Sequence, residues 1–361
     1  MAKTDHHYGL ILAGGRGTRF WPRSRKRSAK QVLSFFGERT LIQQTVDRLR
    51  AVLPPERIWI ITNDHLRDTI ARQLPEVPKK QIIAEPVQRN TAPAIGLVAQ
   101  ILHRQDPEAV MGVFPADHLI DKNARYLRLV RPAFKAASRG EIAVLGIQPK
   151  WPETGYGYIE FPKGTATPGS IEPVPVRSFR EKPDLETEKA YVASGDFYWN
   201  AGMFFWRADV VLSSIREHLP ATAAVLDSLP AFNSAKFKSA LAEKFPQCEN
   251  ISIDYAVLEK ASSIVGIAAD DFGWNDVGSW NAVYELEADE KRPNVTRGEV
   301  IAELATGNYV DVPGKLVALL GVENLVIVET PDALLIADRN RSQQVSDLVK
   351  ILEKQKREEL L

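Results

Sequence analysis

The chain has 361 residues, 44% hydrophobic and 25% charged, an ordinary globular composition with room for two domains. Its 46 basic and 46 acidic side chains cancel, which excludes the broad basic face that general nucleic-acid or membrane affinity requires. The single cysteine, Cys248, excludes an intrachain disulfide framework and any multi-cysteine zinc site, as expected of a reducing cytoplasm.

The N-terminal "MAKTDHHYG" lacks an apolar signal core, and no run approaches the ~20 apolar residues of a membrane helix. The runs at 8–13, 58–63, 81–86, 110–117 and 142–147 are short, apolar and without period-two alternation, which predicts strands buried on both faces. Helical spacing over 40–53, 65–74 and 91–104 alternates with them. That alternation predicts a mainly parallel sheet covered by helices, with ligands beyond the carboxyl ends of its strands. The loops after Ala13, Glu85 and Phe114 are therefore the places for chemistry.

From about 151 to 207, "YGYIEF", "VRSFREKP" and "MFFWR" predict an inserted or extended β-region that covers the pocket. Helices are expected at 208–218, 221–229, 234–245 and 253–261. After "KRPN" the texture shifts to short strands, "LVALLG", "LVIVET" and "ALLIAD", and a terminal amphipathic helix. The expected division is 1–290 and 291–361.

The stretch "LILAGGRGTRFWPRSRKRSAKQ" places seven basic residues between positions 16 and 30 of a neutral chain. "GGRGTR" follows a strand, so its backbone amides could cradle an anion. It is neither a P-loop, having no Gly-Lys-Ser/Thr, nor the dinucleotide fingerprint, since position 20 is Phe. Arg19 and Lys30 bracket the loop and could neutralise phosphates, one by forked contacts and the other as a point charge. For Arg23, Arg25, Lys26 and Arg27 a solvated loop face is the favoured reading. A short RNA-binding patch is the alternative reading, although no stacking aromatic is interleaved among those four.

This loop resembles the signature of the sugar-nucleotide pyrophosphorylases, GGxGxR followed by a Pro-Lys-Gln segment, and most of all the mannose-1-phosphate guanylyltransferases. "EPVQRNTAPAI", "FPADH", "TGYGYIE", "EKP", "WNAGMFFW" and "WNDVGSW" follow in the family's order. One departure is Ala29 where the family has proline. The resemblance implies a Rossmann-like nucleotidyltransferase domain and a short C-terminal left-handed β-helix. It implies transfer of GMP from GTP to mannose 1-phosphate, giving GDP-mannose and pyrophosphate. A phosphate monoester is already largely ionised near pH 7, so the attack needs no general base. Positioning and charge neutralisation are the task.

By the same resemblance Asp117 and Asp276 hold Mg²⁺, although an aspartate after a strand is otherwise more often a cap or turn residue. His118 is either a ligand or structural. The nucleotide is expected at Ala13, Gly14, Gly15, Gly17 and Thr18, with Glu85 either reading guanine or serving as a cap or salt-bridge partner. Asn90 and Thr91 either contact the nucleotide or cap a helix. Gly155, Glu181, Lys182 and Asn200 are the expected sugar-phosphate contacts. Glu181 and Lys182 read alone as a surface pair. The tail serves either assembly, allowing a homodimer, or as a cap on the catalytic domain. A related nucleotidyltransferase of other specificity, and a catalytically dead homologue, share these motifs. Retention of Arg19, Lys30, Asp117 and Asp276 together argues against the latter.

Overall fold

The computed structural model describes residues 6–361; the first five residues of the N-terminal segment read above lie outside it. The strands of the first half are β1 (His7–Leu12), β2 (Ile58–Asn63), β3 (Ile82–Glu85), β4 (Val110–Pro115), β5 (Leu119–Ile120) and β6 (Ile142–Ile147). They alternate with α1 (Leu41–Leu49), α2 (Asp64–Gln73), α3 (Thr91–Gln105) and α4 (Asn123–Ser138). Next come β7 (Tyr158–Glu160), β8 (Val174–Pro175), β9 (Ser178–Arg180), α5 (Leu185–Ser194) and β10 (Phe197–Arg207). Helices α6 (Ala208–His218), α7 (Pro220–Asp227) and α8 (Phe237–Lys244) lead to β11 (Ile264–Ala269), β12 (Trp274–Asn275) and α9 (Trp280–Glu287).

The main sheet has ten strands along the path β3-β2-β1-β4-β10-β6-β11-β8, with β7 and β9 attached through β10. Strands β1 to β4 are mutually parallel, whereas β10 runs antiparallel to both β4 and β6. The absence of polar alternation is explained by burial on both faces. Leu10, Met111 and Val144 enter one core, while Ile11, Val110 and Leu145 enter the other. Local chemistry sets the helix starts. Thr40 and Gln43 form a reciprocal capping box on α1. The Asn63 side chain accepts from Leu66 N at the start of α2.

Three expectations are corrected. The stretch "MFFWR" is no cover over the pocket but part of the central strand β10, with Phe205 and Trp206 fully buried. The helix expected over 253–261 is present only as a short π-helical turn, Asp254–Leu258. Two helices, α4 and α5, lie where none was expected.

The tail contains β13 (Val295–Arg297), β14 (Val300–Glu303), β15 (Tyr309–Asp311), β16 (Val317–Leu320), β17 (Leu325–Thr330), β18 (Ala333–Asp338) and α10 (Val345–Lys354). Parallel pairing of β13, β15 and β17 on one side and of β14 with β16 on another gives it a β-helix-like form. It packs on the loop after β1, where Trp21 Nε1 donates to Leu360 O at 3.0 Å, and on α9. Trp280 of α9 meets Phe20 and Phe35 edge-on and lies against Tyr309 of β15.

Candidate active site

The order β3-β2-β1-β4 places a topological switch point between β1 and β4, because the chain leaves β1 in one direction and returns on its other side at β4. The glycine loop follows β1, and Asp117 lies two residues past β4. The carbonyls of this loop are tied back into the protein. Gln31 Nε2 donates to Ala13 O at 2.7 Å and Gly15 O at 3.0 Å. Thr62 Oγ1 donates to Ala13 O at 2.9 Å, Ser24 Oγ to Arg16 O at 2.7 Å, and Gln88 Nε2 to Gly14 O. The amides of Gly14, Gly15 and Gly17 donate to no acceptor among the described residues. The loop thus presents donors and hides acceptors, the arrangement of an anion nest. Gly17 is obligatory here: its φ is +61°, and a Cβ would stand 2.6 Å from Lys30 Cβ.

Asp276 is carried to Asp117 by a two-stranded antiparallel ladder in which Trp274 pairs with Ile120 and Asn275 with Leu119. Lys30, 5% exposed, joins the two sides: Nζ donates to Asp117 Oδ2 at 2.8 Å and to the Asp276 carbonyl at 2.6 Å. Burial pushes the Asp117 carboxyl up, but Lys30 and His118 outweigh it and hold it below the usual aspartate range. His118 is depressed, chiefly by burial, and its Nδ1 accepts from Trp274 Nε1 at 3.1 Å. That bond gives His118 a structural anchor. Tyr156 O–H donates to Asp276 Oδ1 at 2.7 Å, and burial together with that carboxylate raises the phenol.

Gly17, Thr18, Arg19, Lys30, Asp117 and Asp276 line one cavity of about 280 Å³. Through Arg19, Asp276 and Gly278 it adjoins a larger cavity of about 940 Å³ that contains Gly155, Tyr156 and Lys182. Arg19 Nη1 donates to Gly278 O at 3.2 Å across this junction. Lys182, at φ +48°, pairs with Glu181 at 3.0 Å. The Glu181 carboxylate stands where a Cβ on Gly157 would be, so a side chain there would displace it. Asn200 sits at a register shift in β10; its Oδ1 accepts from Gly202 N at 2.9 Å and its Nδ2 donates to Asp254 Oδ1 at 3.2 Å. Asp254, which sequence reasoning missed, is pushed up to about 7 by burial and by Glu181. Its one sequence signal was its place in an apolar helical run, an unfavourable position for a carboxylate.

Glu85 ends β3 beside the glycine loop, with Oε2 about 3.5 Å from where a Gly14 Cβ would lie. It is 6% exposed, its Oε1 has no hydrogen-bond partner, and burial pushes it up to about 8. Neither a cap nor a salt bridge is seen for it among the described residues. Asn90 and Thr91 do have local duties. Asn90 Oδ1 accepts from Thr91 N at 2.8 Å as the cap of α3, and Thr91 Oγ1 accepts from Ile253 N at 2.8 Å.

Of the four cations expected on a solvated face, Arg27 is exposed as expected, whereas Arg23, Arg25 and Lys26, together with Arg16, are committed to ion pairs. Arg16 pairs with Glu353 at 2.6 Å, Arg23 with Asp311 at 2.7 Å, Arg25 with Asp332 at 2.9 Å and Lys26 with Glu358 at 2.5 Å, all in the tail. The local excess of charge is met largely by acidic groups far along the chain. Arg23→Gln is expected to lower stability by about 1–2 kcal/mol, because Asp311 is buried while Arg23 is only partly so. Its KM for nucleotide should be unchanged. A raised KM with normal stability in denaturant titration would return Arg23 to the phosphate site.

A family model described as nucleotidyl transferase matches residues 8–292, and one described as the mannose-phosphate isomerase/GMP-like β-helix domain matches 298–352. A Klebsiella pneumoniae protein named mannose-1-phosphate guanylyltransferase is 41% identical over 97% of this chain and 74% of its own length. An Escherichia coli protein of the same name is 41% identical with the same coverage. A solved structure from Thermus thermophilus, named as a mannose-1-phosphate geranyltransferase, superposes with a TM-score of 0.84 at 31% identity, covering 96% of this chain and 99% of that one. The chain belongs to the nucleotidyl transferase family and, within it, groups with the mannose-1-phosphate guanylyltransferases.

Proposed function

We propose that this chain transfers GMP from GTP to mannose 1-phosphate, releasing pyrophosphate and forming GDP-mannose. The observation that carries this reading is the junction of the two cavities. A donor-lined anion nest with Arg19, Lys30 and Asp117 meets, at Asp276, a larger polar cavity reached by Gly155 and Lys182. A triphosphate fits the first and a sugar phosphate the second, which brings the reacting oxygen and the α-phosphorus together at the shared wall. The oxygen of mannose 1-phosphate attacks in line, and the pyrophosphate oxygen leaves as its bond to the α-phosphorus breaks. Arg19 and the free glycine amides stabilise charge on the departing pyrophosphate. Lys182 neutralises the sugar phosphate; Glu181 and Asn200 orient hydroxyls. Glu85 accepts from guanine N1–H and N2–H₂.

No group of three or more metal-ligating side chains occurs among the described residues. Two carboxylates, Asp117 and Asp276, with phosphate oxygens and water completing the shell, nevertheless suit Mg²⁺, which seldom takes an all-protein cage. When bound there it would neutralise phosphate charge between the two reactants. We assign residues 1–290 to catalysis and 291–361 to the β-helix-like tail, and the cytoplasm as the location. No helix among the described residues is long and apolar enough to cross a membrane. Self-association through the tail is supported by exposed Leu304, Leu320 and Ile336.

The test is pyrophosphate release across a matrix of nucleoside triphosphates and sugar 1-phosphates. GTP with mannose 1-phosphate should give the highest kcat/KM. Equal use of ATP would remove the guanine assignment, and a better hexose phosphate would remove mannose.

A further inference from the structure

The loop that presents Asp276 is strained. Val277 is fully buried, β-branched and held at φ +49°. Such a conformation costs on the order of 1–3 kcal/mol and persists only where its surroundings hold it. On the N-terminal side Asn275 Oδ1 accepts from Val277 N at 2.7 Å. On the C-terminal side the loop runs directly into α9, and α9 is gripped from the tail.

Arg339 makes that grip. It opens the short 3-10 segment Arg339–Gln344 after β18. Its Nη1 donates to Asn281 Oδ1 at 2.5 Å, its Nε to Gly307 O at 3.0 Å and its Nη2 to Asn324 Oδ1 at 2.9 Å. The guanidinium also lies 3.9 Å from the centre of the Tyr284 ring. Asn281 and Tyr284 are one turn apart on α9, whereas Gly307 and Asn324 belong to successive turns of the tail. One planar fork therefore ties two turns of the tail to the helix that ends the Asp276 loop. The same segment supplies Ser342, 1% exposed, whose Oγ accepts from Asn281 N at 3.3 Å, and Gln343, which lines the larger cavity beside Asn281.

We propose that Arg339 is a positioning residue for the transfer reaction, acting through Asn281 to hold the strained loop that presents Asp276. The inference rests on the reading above that Asp276 serves the reacting phosphates. The fork geometry matters as much as the charge: a lysine could reach one of the three acceptors but not span them.

The test uses full-length Arg339→Met, Arg339→Lys and Asn281→Ala, and the double variant Arg339→Met/Asn281→Ala. Turnover is read at saturating substrates, GTP affinity by calorimetry and stability by thermal unfolding. Arg339→Met is expected to lower kcat by about 10–10²-fold, the scale of a displacement transmitted from outside the reacting groups. GTP affinity should hold, since Arg339 lies away from the nest. Arg339→Lys should restore stability better than it restores kcat. Asn281→Ala should lower kcat too, and the double variant should be no slower than the slower single, because both break one link. Normal kcat in folded Arg339→Met, or multiplicative losses in the double variant, overturns the proposal. Should Arg339→Met fail to fold, Asn281→Ala decides, since it leaves the other two acceptors intact, and normal kcat in it has the same force. Asp276→Asn is the control. Normal turnover there would overturn the site reading itself. Impaired turnover there, with normal Arg339→Met and Asn281→Ala, would overturn this inference alone.

Discussion

Asp117→Asn and Asp276→Asn are each expected to reduce turnover about 10²–10³-fold, the usual consequence of losing one preorganised electrostatic contact. Both changes preserve size and remove one negative charge where two polyanions must meet. GTP binding should survive in part, because the glycine amides and Arg19 do not depend on either carboxylate. The two variants should differ in stability. Lys30 is buried and its ammonium rests on Asp117 at 2.8 Å, so Asp117→Asn leaves a buried cation poorly compensated. Asp276 offers Lys30 its backbone carbonyl, which substitution leaves in place. Asp117→Asn should therefore unfold at lower temperature than Asp276→Asn. Turnover, GTP affinity and thermal unfolding across a Mg²⁺ titration read all three effects. Near-normal turnover at limiting Mg²⁺ in either variant would take that residue out of the site.

Glu85→Gln is expected to collapse the preference for GTP over ATP, by at least about 10²-fold if the carboxylate reads the donors of guanine, since such sites reject a mismatched partner by roughly 10⁴ or more. A pH signature accompanies this. In the free protein burial holds Glu85 up to about 8, so it is mostly protonated at neutral pH. Accepting from N1–H and N2–H₂ requires the carboxylate, so guanine lowers that pKa and binding releases a proton. GTP affinity should rise with pH toward about 8 and level off above it, and Glu85→Gln should abolish the rise. Folding gives an independent check. A carboxyl held above its ordinary 4.5 binds more protons folded than unfolded, so its contribution to stability is present below 4.5 and lost as pH rises through about 8. A tenfold difference in proton affinity between the folded and unfolded chain corresponds to about 1.4 kcal/mol. The stability of Glu85→Gln relative to the native chain should thus improve from about pH 5 to about pH 8. A pH-independent GTP affinity in the native chain would exclude Glu85 as the reader.

Helix α4 escaped sequence reading because Pro132 lies inside it, and an internal proline ordinarily marks a break. Helix α5 escaped because its ten residues bury almost nothing along one face, so no period stands out. Strand β10 was recognised in part but misplaced: its apolar run says that it is buried, and nothing in one strand names its neighbours. Asp254 was hidden for the opposite reason, its π-helical turn resembling a helix in composition.

What the sequence determined by itself was whatever depends on neighbours in the chain. Apolar runs specified the strands, 3.6-residue spacing most of the helices, and the glycines a loop that must turn sharply after β1. Strand ends then pointed to the loops after Glu85 and Phe114, because a parallel sheet places its ligands at those ends, and Asp117 of the second loop does line a cavity. The tertiary structure alone decided who answers each charge. Arg19 and Arg23 are four residues apart and equal in chemistry, yet one faces the cavity shared with Lys30, Asp117 and Asp276, and the other meets Asp311, 288 positions away. An ion pair forms at a few ångströms, and separation along the chain carries no record of separation in space. The distant ladder between β5 and β12, and the tail folded back on α9, bring Lys30, Asp117, Asp276 and Arg339 into one connected arrangement for that reason.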